Sequence, residues 1–256
     1  MDEFSLTGKT ALVAGASRGI GLAIAQSLSR AGADTILAAR SIDALRKATD
    51  ALRAEGSSAR ECVLDISSSE SIRTAVSSLP DIDILINAAG INLRKRFQDY
   101  TREEYDRLLQ TNLHGIVELT QLVGARMIAR GKGGKVVMIG SLMSILGLPF
   151  LSVYAISKSG LAGLTRVLAA EWGRYNIQVN CIAPGFILTD LNRDMWQTDE
   201  LHRWRTGVQA NPQMGTPADI APLAVLLSGR GSDYITGQVI AVDGGYSTTA
   251  SWPFEP

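Results

Sequence analysis

The chain has 256 residues, 46% of them hydrophobic and 20% charged, which is material for a large core and excludes a disordered polymer. Lys and Arg total 25 and Asp and Glu total 25, so no net field draws the chain toward nucleic acid or an anionic membrane, and neither is expected as a partner. The opening MDEFSLTGK lacks the basic and then apolar stretches of a secretory signal, and no run approaches about 18 apolar residues, so a cytoplasmic protein is expected.

In chain order, short β-type apolar runs alternate with helix-period segments, the pattern of βαβ units around a parallel sheet. A strand over 10–15 leads into a helix over 20–32, whose Ile20, Ile24, Leu28 and Ala31 form one apolar stripe. Strands over 35–39, 60–64 and 82–87 follow, separated by helices over 41–55 and 69–78. A long helix over 102–130 opens on the capping box Thr101-x-x-Glu104. Next come a strand over 135–140, a helix over 153–173 and a strand over 177–182. Thr216-Pro217-x-Asp219 combines an N-cap, Pro at the first helical position and an acid in the first turn; it starts a helix over 217–228, ahead of a last strand over 238–242. No linker, charge block or repeat interrupts the series, which predicts one doubly wound α/β domain over 1–256, with helices on both faces of the sheet. Residues 186–214 break the rhythm. They mix polar side chains with Trp196 and Trp204, follow the carboxyl end of a strand and close on Asn211-Pro212, so an irregular lid over a ligand is expected there. Cys62 and Cys181 sit in apolar strand-like runs; with only His114 and His202 for company they make neither a disulfide framework nor a zinc set, so buried free thiols and no metal are expected.

The chemistry concentrates at strand ends. Gly15-Ala16-Ser17-Arg18-Gly19-Ile20-Gly21 turns from the first strand straight into a helix, which suits a pyrophosphate laid on the helix N-terminus, although any glycine-rich βα turn would look similar. At the end of the second strand, Ala39 stands where a carboxylate would accept an adenosine 2′-hydroxyl. Arg40 follows it and Arg18 lies in the glycine turn, and a guanidinium there suits a 2′-phosphate, so NADP is expected over NAD. Asp65 and Asn87-Ala88-Ala89-Gly90 end the third and fourth strands, where they either contact adenine and ribose or serve as turn residues. Tyr154 and Lys158, four apart on a helix, share a face, so the ammonium can lower the phenol's pKa toward a usable acid/base; Ser141 lies thirteen residues earlier at another strand end.

Together these residues resemble the short-chain dehydrogenase/reductase family. The likeness runs the length of the chain, through the glycine turn 15–21, Asp65, Asn87–Gly90, Asn112, Ser141, Tyr154, Lys158, Pro184-Gly185 with Thr189, and Val242-Asp243-Gly244-Gly245. It implies a Rossmann-like sheet of about seven strands, a nicotinamide cofactor, and a catalytic tetrad of Asn112, Ser141, Tyr154 and Lys158. By the same resemblance Tyr154 exchanges a proton with the substrate oxygen, Ser141 holds that oxygen, Lys158 holds ribose, and Asn112 anchors a water. The implied cofactor cradle comprises Gly15, Ser17, Arg18, Ile20, Gly21, Arg40, Ser41, Asp65, Ile66, Asn87, Ala88, Ala89, Gly90, Tyr154 and Lys158, with Pro184, Gly185, Ile187 and Thr189 at the nicotinamide end. The resemblance also implies a homotetramer paired through the helices over 102–130 and 153–173. Two positions depart from the family pattern: Ala14 replaces a usual Thr and Ala88 a usual Asn. Within the family the chain looks most like the gluconate 5-dehydrogenase and deoxygluconate dehydrogenase branch. A 3-oxoacyl-carrier-protein reductase shares every catalytic motif, and a non-catalytic NADP-binding sensor would share the fold without needing the Tyr-Lys pair.

For the alcohol or ketone substrate, the candidate contacts are Arg94, Ser141, Met143, Phe186 and Trp196. Arg94-Lys95-Arg96 could clamp the carboxylate of a sugar acid, while Leu142, Met143, Leu146, Leu148, Phe150, Phe186 and Trp196 would wall the site for a less polar ketone.

Overall fold

A computed structural model describes residues 2–189, 192–196 and 198–250. Seven strands, β1 (Thr10–Ala14), β2 (Asp34–Ala39), β3 (Ala59–Val63), β4 (Ile84–Asn87), β5 (Gly134–Ile139), β6 (Ile177–Pro184) and β7 (Val239–Val242), form one sheet in the order β3-β2-β1-β4-β5-β6-β7. Every neighbouring pair is parallel. The strand order reverses between β1 and β4, and the two crossovers leave a crevice at the carboxyl ends of those strands.

Helices α1 (Gly19–Arg30), α2 (Ile42–Ala54) and α9 (Pro217–Ser228) cover one face; α3 (Ser69–Ser78), α5 (Gly115–Arg130) and α6 (Ser152–Trp172) cover the other. α4 (Arg102–Leu109), α7 (Arg193–Trp196) and α8 (Asp199–Val208) lie outside these layers. Alternation along the strands divides the core. Leu12, Leu85, Val136, Met138 and Val179 face α5 and α6, while Ala11, Val13, Ile84, Ile86 and Val137 face α1 and α9. Strands buried on both faces are why β1, β4 and β5 read as nearly continuous apolar runs rather than alternating ones. Removing a side chain such as Leu85, which is fully buried, would cost about 2–5 kcal/mol. No helix among the described residues is long and apolar enough to cross a membrane.

Three features differ from expectation. The helix predicted over 102–130 is two helices, α4 and α5, joined by a π turn at Gln110–His114. Gly115 passes so close to the Ile66 carbonyl that a Cβ would lie 1.7 Å from its oxygen, so only glycine lets α5 dock there. Cys181 is buried but Cys62 only half so, because β3 is the sheet edge. The segment over 186–214 is not irregular throughout, since α7 and α8 occupy much of it.

Candidate active site

The crevice is built from the strand ends inward. After Ala14 the chain turns at Gly15, whose φ of 89° is a left-handed conformation; a Cβ there would also lie 2.6 Å from the Ala89 nitrogen. Gly21 sits against the Gly15 carbonyl with Ala88 beside it, so the small residue at 88 completes the packing of the turn. Arg18 caps α1 with extended backbone and no side-chain hydrogen bond, so no cap side chain satisfies the N–H groups of the first turn. That set of donors at the positive end of a helix fits a phosphate. Gly19 faces Thr189 across the crevice, its Cβ position 3.7 Å from the Thr189 methyl. Thr189 is held in turn by Asn192, whose carboxamide accepts the Thr189 N–H at 2.8 Å and donates to the Ile187 carbonyl at 2.9 Å. Gly185 leans on Asp243, and its N–H donates to Val242, tying the end of β6 to the chain after β7.

At the edge nearer β2, Arg18 and Arg40 are exposed, and Ser41 caps α2 by accepting the Ala44 N–H. Asp65 accepts hydrogen bonds from the Ser67 N–H at 2.9 Å and hydroxyl at 2.7 Å. The Ser67 hydroxyl foremost, with its N–H and the charge of Arg40, holds the Asp65 carboxyl below its ordinary range. The ribose end therefore presents arginines and one ionised acid committed to a turn, a set that fits a 2′-phosphate better than a bare hydroxyl. The Asn87 side chain turns away from the crevice: its Nδ2 donates to Thr120 at 2.9 Å, and its Oδ1 is buried with no partner. Ile66 is buried among the α3 and α5 side chains.

The four candidate catalytic residues converge next to the glycine turn. Asn112 occupies the π turn and grips the backbone of Ile91 from both ends, accepting its N–H and donating to its carbonyl, each at 2.8 Å. This ties the loop after β4 to the helix, and the Gly90 Cβ position lies 3.4 Å from Asn112 Oδ1 and 3.6 Å from Lys158 Nζ. Lys158 is buried on α6, with Nζ donating to the Ile139 carbonyl at 2.8 Å. Burial lowers its pKa from 10.5 to about 8, opposed by neighbouring Cys181. Tyr154 lies one turn earlier, its ring centroid 5.7 Å from Lys158 Nζ. Burial raises the Tyr154 pKa, while a hydrogen bond with Ser141 and the charge of Arg94 pull it down. The helix spacing led us to expect Lys158 as the group that depresses this phenol; in the structure Ser141 and Arg94 do so, and burial outweighs both. Ser141 Oγ accepts the Met143 N–H at 3.2 Å, which leaves its own proton to be donated to Tyr154.

On the substrate side the basic cluster separates. Only Arg94 acts on Tyr154. Lys95 pairs with Glu104 at 2.8 Å, and its N–H donates to the Phe150 carbonyl. Arg96 lines a hollow of about 430 Å³ together with Phe97, Leu148 and Phe150, and Phe150, 55% exposed, does not pack in the wall around Tyr154. That wall consists of Leu142, Met143, Leu146, Leu148, Phe186 and Tyr246. Phe186 is its hub, with ring centroids 4.8 Å from Tyr246, 5.2 Å from Trp196 and 5.5 Å from Trp204. The Trp196 indole N–H is buried and unpartnered. Tyr246 escaped the sequence reading: it follows Gly244-Gly245, and nothing local in the sequence marks an aromatic after a turn as part of a wall.

A family model described as enoyl-(acyl carrier protein) reductase matches residues 15–247. The chain belongs to the short-chain dehydrogenase/reductase family, oxidoreductases that act on CH–OH groups. Among its relatives, the gluconate 5-dehydrogenase of Gluconobacter oxydans is 36% identical over 252 residues, covering 97% of this chain and 98% of the relative. The 2-dehydro-3-deoxy-D-gluconate 5-dehydrogenase of Bacillus subtilis is 39% identical over 258 residues, covering 96% and 97%. The crystal structure of a gluconate 5-dehydrogenase from Burkholderia cenocepacia in complex with NADP and tartrate superposes with a TM-score of 0.93 at 33% identity, covering 97% of this chain and 99% of that one.

Proposed function

We propose that the protein is an NADP(H)-dependent oxidoreductase that interconverts a secondary alcohol and its ketone on a sugar acid. The observation that carries the reading is the convergence of Asn112, Ser141, Tyr154 and Lys158 beside an uncapped helix N-terminus at the sheet's switch point. The relatives named for gluconate and deoxygluconate, one solved with NADP, support the substrate class and the cofactor.

The glycine turn and the first turn of α1 would hold the pyrophosphate, Arg18 and Arg40 the 2′-phosphate, and Thr189 with Pro184, Gly185 and Ile187 the nicotinamide end. When bound, the nicotinamide supplies or accepts the hydride. Tyr154 gives a proton to the carbonyl oxygen during reduction and takes one from the hydroxyl during oxidation. Ser141 would turn its hydroxyl proton from Tyr154 to the same oxygen and fix its place. Lys158 offers its remaining donors to ribose and carries positive charge beneath the site. Asn112 fixes Ile91 and thereby the floor beside Gly90, where a relay water to Lys158 would sit. Arg94, whose charge reaches Tyr154, would orient the substrate carboxylate.

The residues 1–256 would act as one catalytic unit, with the 186–214 segment as its lid. The cytoplasm suits its two free thiols. A homotetramer is supported by Val117 on α5 and by Ile156 and Val167 on α6, which remain 37%, 45% and 52% exposed. The experiment is NADPH consumption with keto-sugar acids, and NADP reduction with the corresponding hydroxy acids. No turnover of any carbonyl with either cofactor would overturn the reading. A second substrate class, a less polar cyclic or aryl ketone, is favoured by one feature, the aromatic wall around Phe186.

A further inference from the structure

The segment after β5 carries Ser141, and α6 carries Tyr154 and Lys158, so the two must be held in register for either set to be useful. One side chain spans them. Ser144 Oγ accepts the Ser141 N–H at 3.3 Å and donates to the Lys158 main-chain carbonyl at 2.9 Å. The Ser144 N–H also donates to the Ser141 carbonyl at 2.8 Å, closing a tight turn under Ser141. Lys158 is thus tied to this strand end twice, through Nζ to Ile139 and through its carbonyl to Ser144. The Ser144 hydroxyl fits because Gly140 has no side chain: a Cβ on Gly140 would lie 2.7 Å from Ser144 Oγ. Nothing else about the fold requires a hydroxyl here, since the carbonyl of Lys158 lies within a helix and has its ladder partner available.

We propose that Ser144 is a positioning residue for the reaction: a strut that sets the spacing between the Ser141 hydroxyl, which holds the substrate oxygen, and the Tyr154–Lys158 face of α6. This rests on the acid/base reading given under Proposed function. Ser144 touches neither substrate nor cofactor. It acts by holding two elements whose relative placement decides whether Ser141 and Tyr154 can address one oxygen atom, a geometry in which a shift of about 1 Å costs as much as about a hundredfold in rate. The groups around Tyr154 come from three directions: Lys158 on its own helix, 5.7 Å from the ring, Arg94 in the loop after β4, and Ser141 at the end of β5, with the Cys181 thiol of β6 beside Lys158; of these, Ser141 and Arg94 pull the phenol's pKa down. Loosening the strut withdraws Ser141, which is one of the two groups that counter the burial of the phenol.

A second contact between the same loop and helix supplies the control. Ser159 Oγ donates to the Met143 carbonyl at 2.9 Å, and this hydrogen bond engages neither Ser141 nor the Lys158 carbonyl. Ser144→Ala, Ser144→Thr and Ser159→Ala are compared with the parent protein in kcat and KM, in the pH profile for alcohol oxidation, in melting temperature, and in NADPH affinity by tryptophan fluorescence. Ser144→Ala is expected to lose at least about tenfold in kcat and to move the acidic limb of the oxidation profile up by about half a pH unit or more, with NADPH affinity held within about threefold. Ser144→Thr, which keeps the hydroxyl, should recover most of the loss. Ser159→Ala should leave both kcat and the limb near those of the parent. If Ser144→Ala does not fold, Ser144→Cys fills the same space with a poor donor and is read the same way. The proposal is overturned if the variant lacking the hydroxyl keeps its kcat and limb, or if Ser144→Ala and Ser159→Ala lose activity in equal proportion with the limb unmoved. Tyr154→Phe run alongside separates the two layers: its retaining activity would mean that the acid/base reading itself had failed, whatever Ser144 does.

Discussion

Lys158 Nζ donates to the Ile139 carbonyl across 2.8 Å, deep between α6 and the end of β5. One hydrogen bond does not offset the burial, and the ammonium's pKa falls from 10.5 to about 8. At neutral pH the folded protein therefore holds a charge that costs stability. The sign follows from proton counts. Below pH 8 both folded and unfolded states carry the proton and the penalty is complete; between pH 8 and 10.5 the folded state has shed it while the unfolded chain keeps it, so stability rises with pH through that window. Lys158→Met should accordingly stabilise the cofactor-free protein at pH 7 by about 1–3 kcal/mol, allowing for the acceptor left on Ile139, and the advantage should shrink toward pH 10. Denaturant melts of both proteins across this range test it. The raised pKa of Cys181 is pulled down by the Lys158 charge and so differs between the two proteins; both are therefore compared in a Cys181→Ala background. An advantage that does not change with pH would sink the account.

Tyr154→Phe deletes only the phenolic hydroxyl. It should reduce kcat by about 10²–10⁴-fold while NADPH affinity stays near that of the parent, because the groups proposed to hold the pyrophosphate and 2′-phosphate, the glycine turn with Arg18 and Arg40, are left unchanged. Lys158→Ala should impair both, since its ammonium is proposed to hold ribose and stands 5.7 Å from the Tyr154 ring. Stopped-assay rates and fluorescence titrations separate the two outcomes; a Tyr154→Phe protein that turns over at more than about a tenth of the parent rate would remove the acid/base assignment.

Arg40 lies exposed at the end of β2, where Ala39 leaves no carboxylate to repel a 2′-phosphate, and its charge is felt by Asp65. The protein should prefer NADP(H), and Arg40→Ala should erode the preference chiefly through KM, by about 1.5–3 kcal/mol for a charge-assisted contact remote from the reacting carbon. The check is kcat/KM for both cofactors in both proteins. Unmodified protein that prefers NAD(H) contradicts the argument.

The layering of the fold was legible in the sequence because strands buried on both faces must be largely apolar, and the cores of the first, fourth and fifth strands, 11–14, 84–86 and 136–139, are apolar throughout. The π turn was not, since one extra residue in a helix leaves the apolar period on either side almost unchanged; its trace is Gly115, whose need becomes visible only when Ile66 lies beside it. Residues near each other in the chain misled in another way. Arg94, Lys95 and Arg96 look like one basic cluster, yet successive side chains in an extended segment point apart, which turns Lys95 to Glu104, while Arg96 lines another hollow and only Arg94 acts on Tyr154. Contacts made across the chain, such as Phe186 with Tyr246 or Ser144 with Lys158, have no local signature at all.

The exposed apolar residues of α5 and α6 predict self-association. Val167 is 52% exposed on α6, and a Cβ added at Gly163, one turn earlier, would meet nothing within 4 Å, so this stretch of helix is open to a neighbour. Val167→Glu places a charge where a second copy would pack and should shift the sedimentation profile to smaller species, with kcat affected less than assembly. Wild-type protein that sediments as a monomer at micromolar concentration refutes the homotetramer.

Arg94 decides between the two substrate classes. Its guanidinium lies near enough to Tyr154 to depress the phenol, so a carboxylate bound to it would stand beside the reacting oxygen, whereas Lys95 is committed to Glu104 and cannot share the task. The wall around Tyr154 adds Phe186 and Tyr246, with Trp196 against Phe186, which favour an apolar body and leave one indole N–H to be satisfied. For a sugar acid, Arg94→Ala should lower kcat/KM by about ten- to a hundredfold, the worth of a charge-assisted pair, and should do so mostly in KM if the clamp acts equally in ground and transition states. For an uncharged cyclic or aryl ketone the same substitution should change little, apart from the loss of a charge that stabilises the phenolate. The measurement is kcat/KM for a keto-sugar acid and for the uncharged ketone, in wild type and Arg94→Ala. Loss confined to the acid establishes the clamp. An enzyme that reduces only the uncharged ketone, and does so equally well without Arg94, assigns the site to the aromatic wall instead.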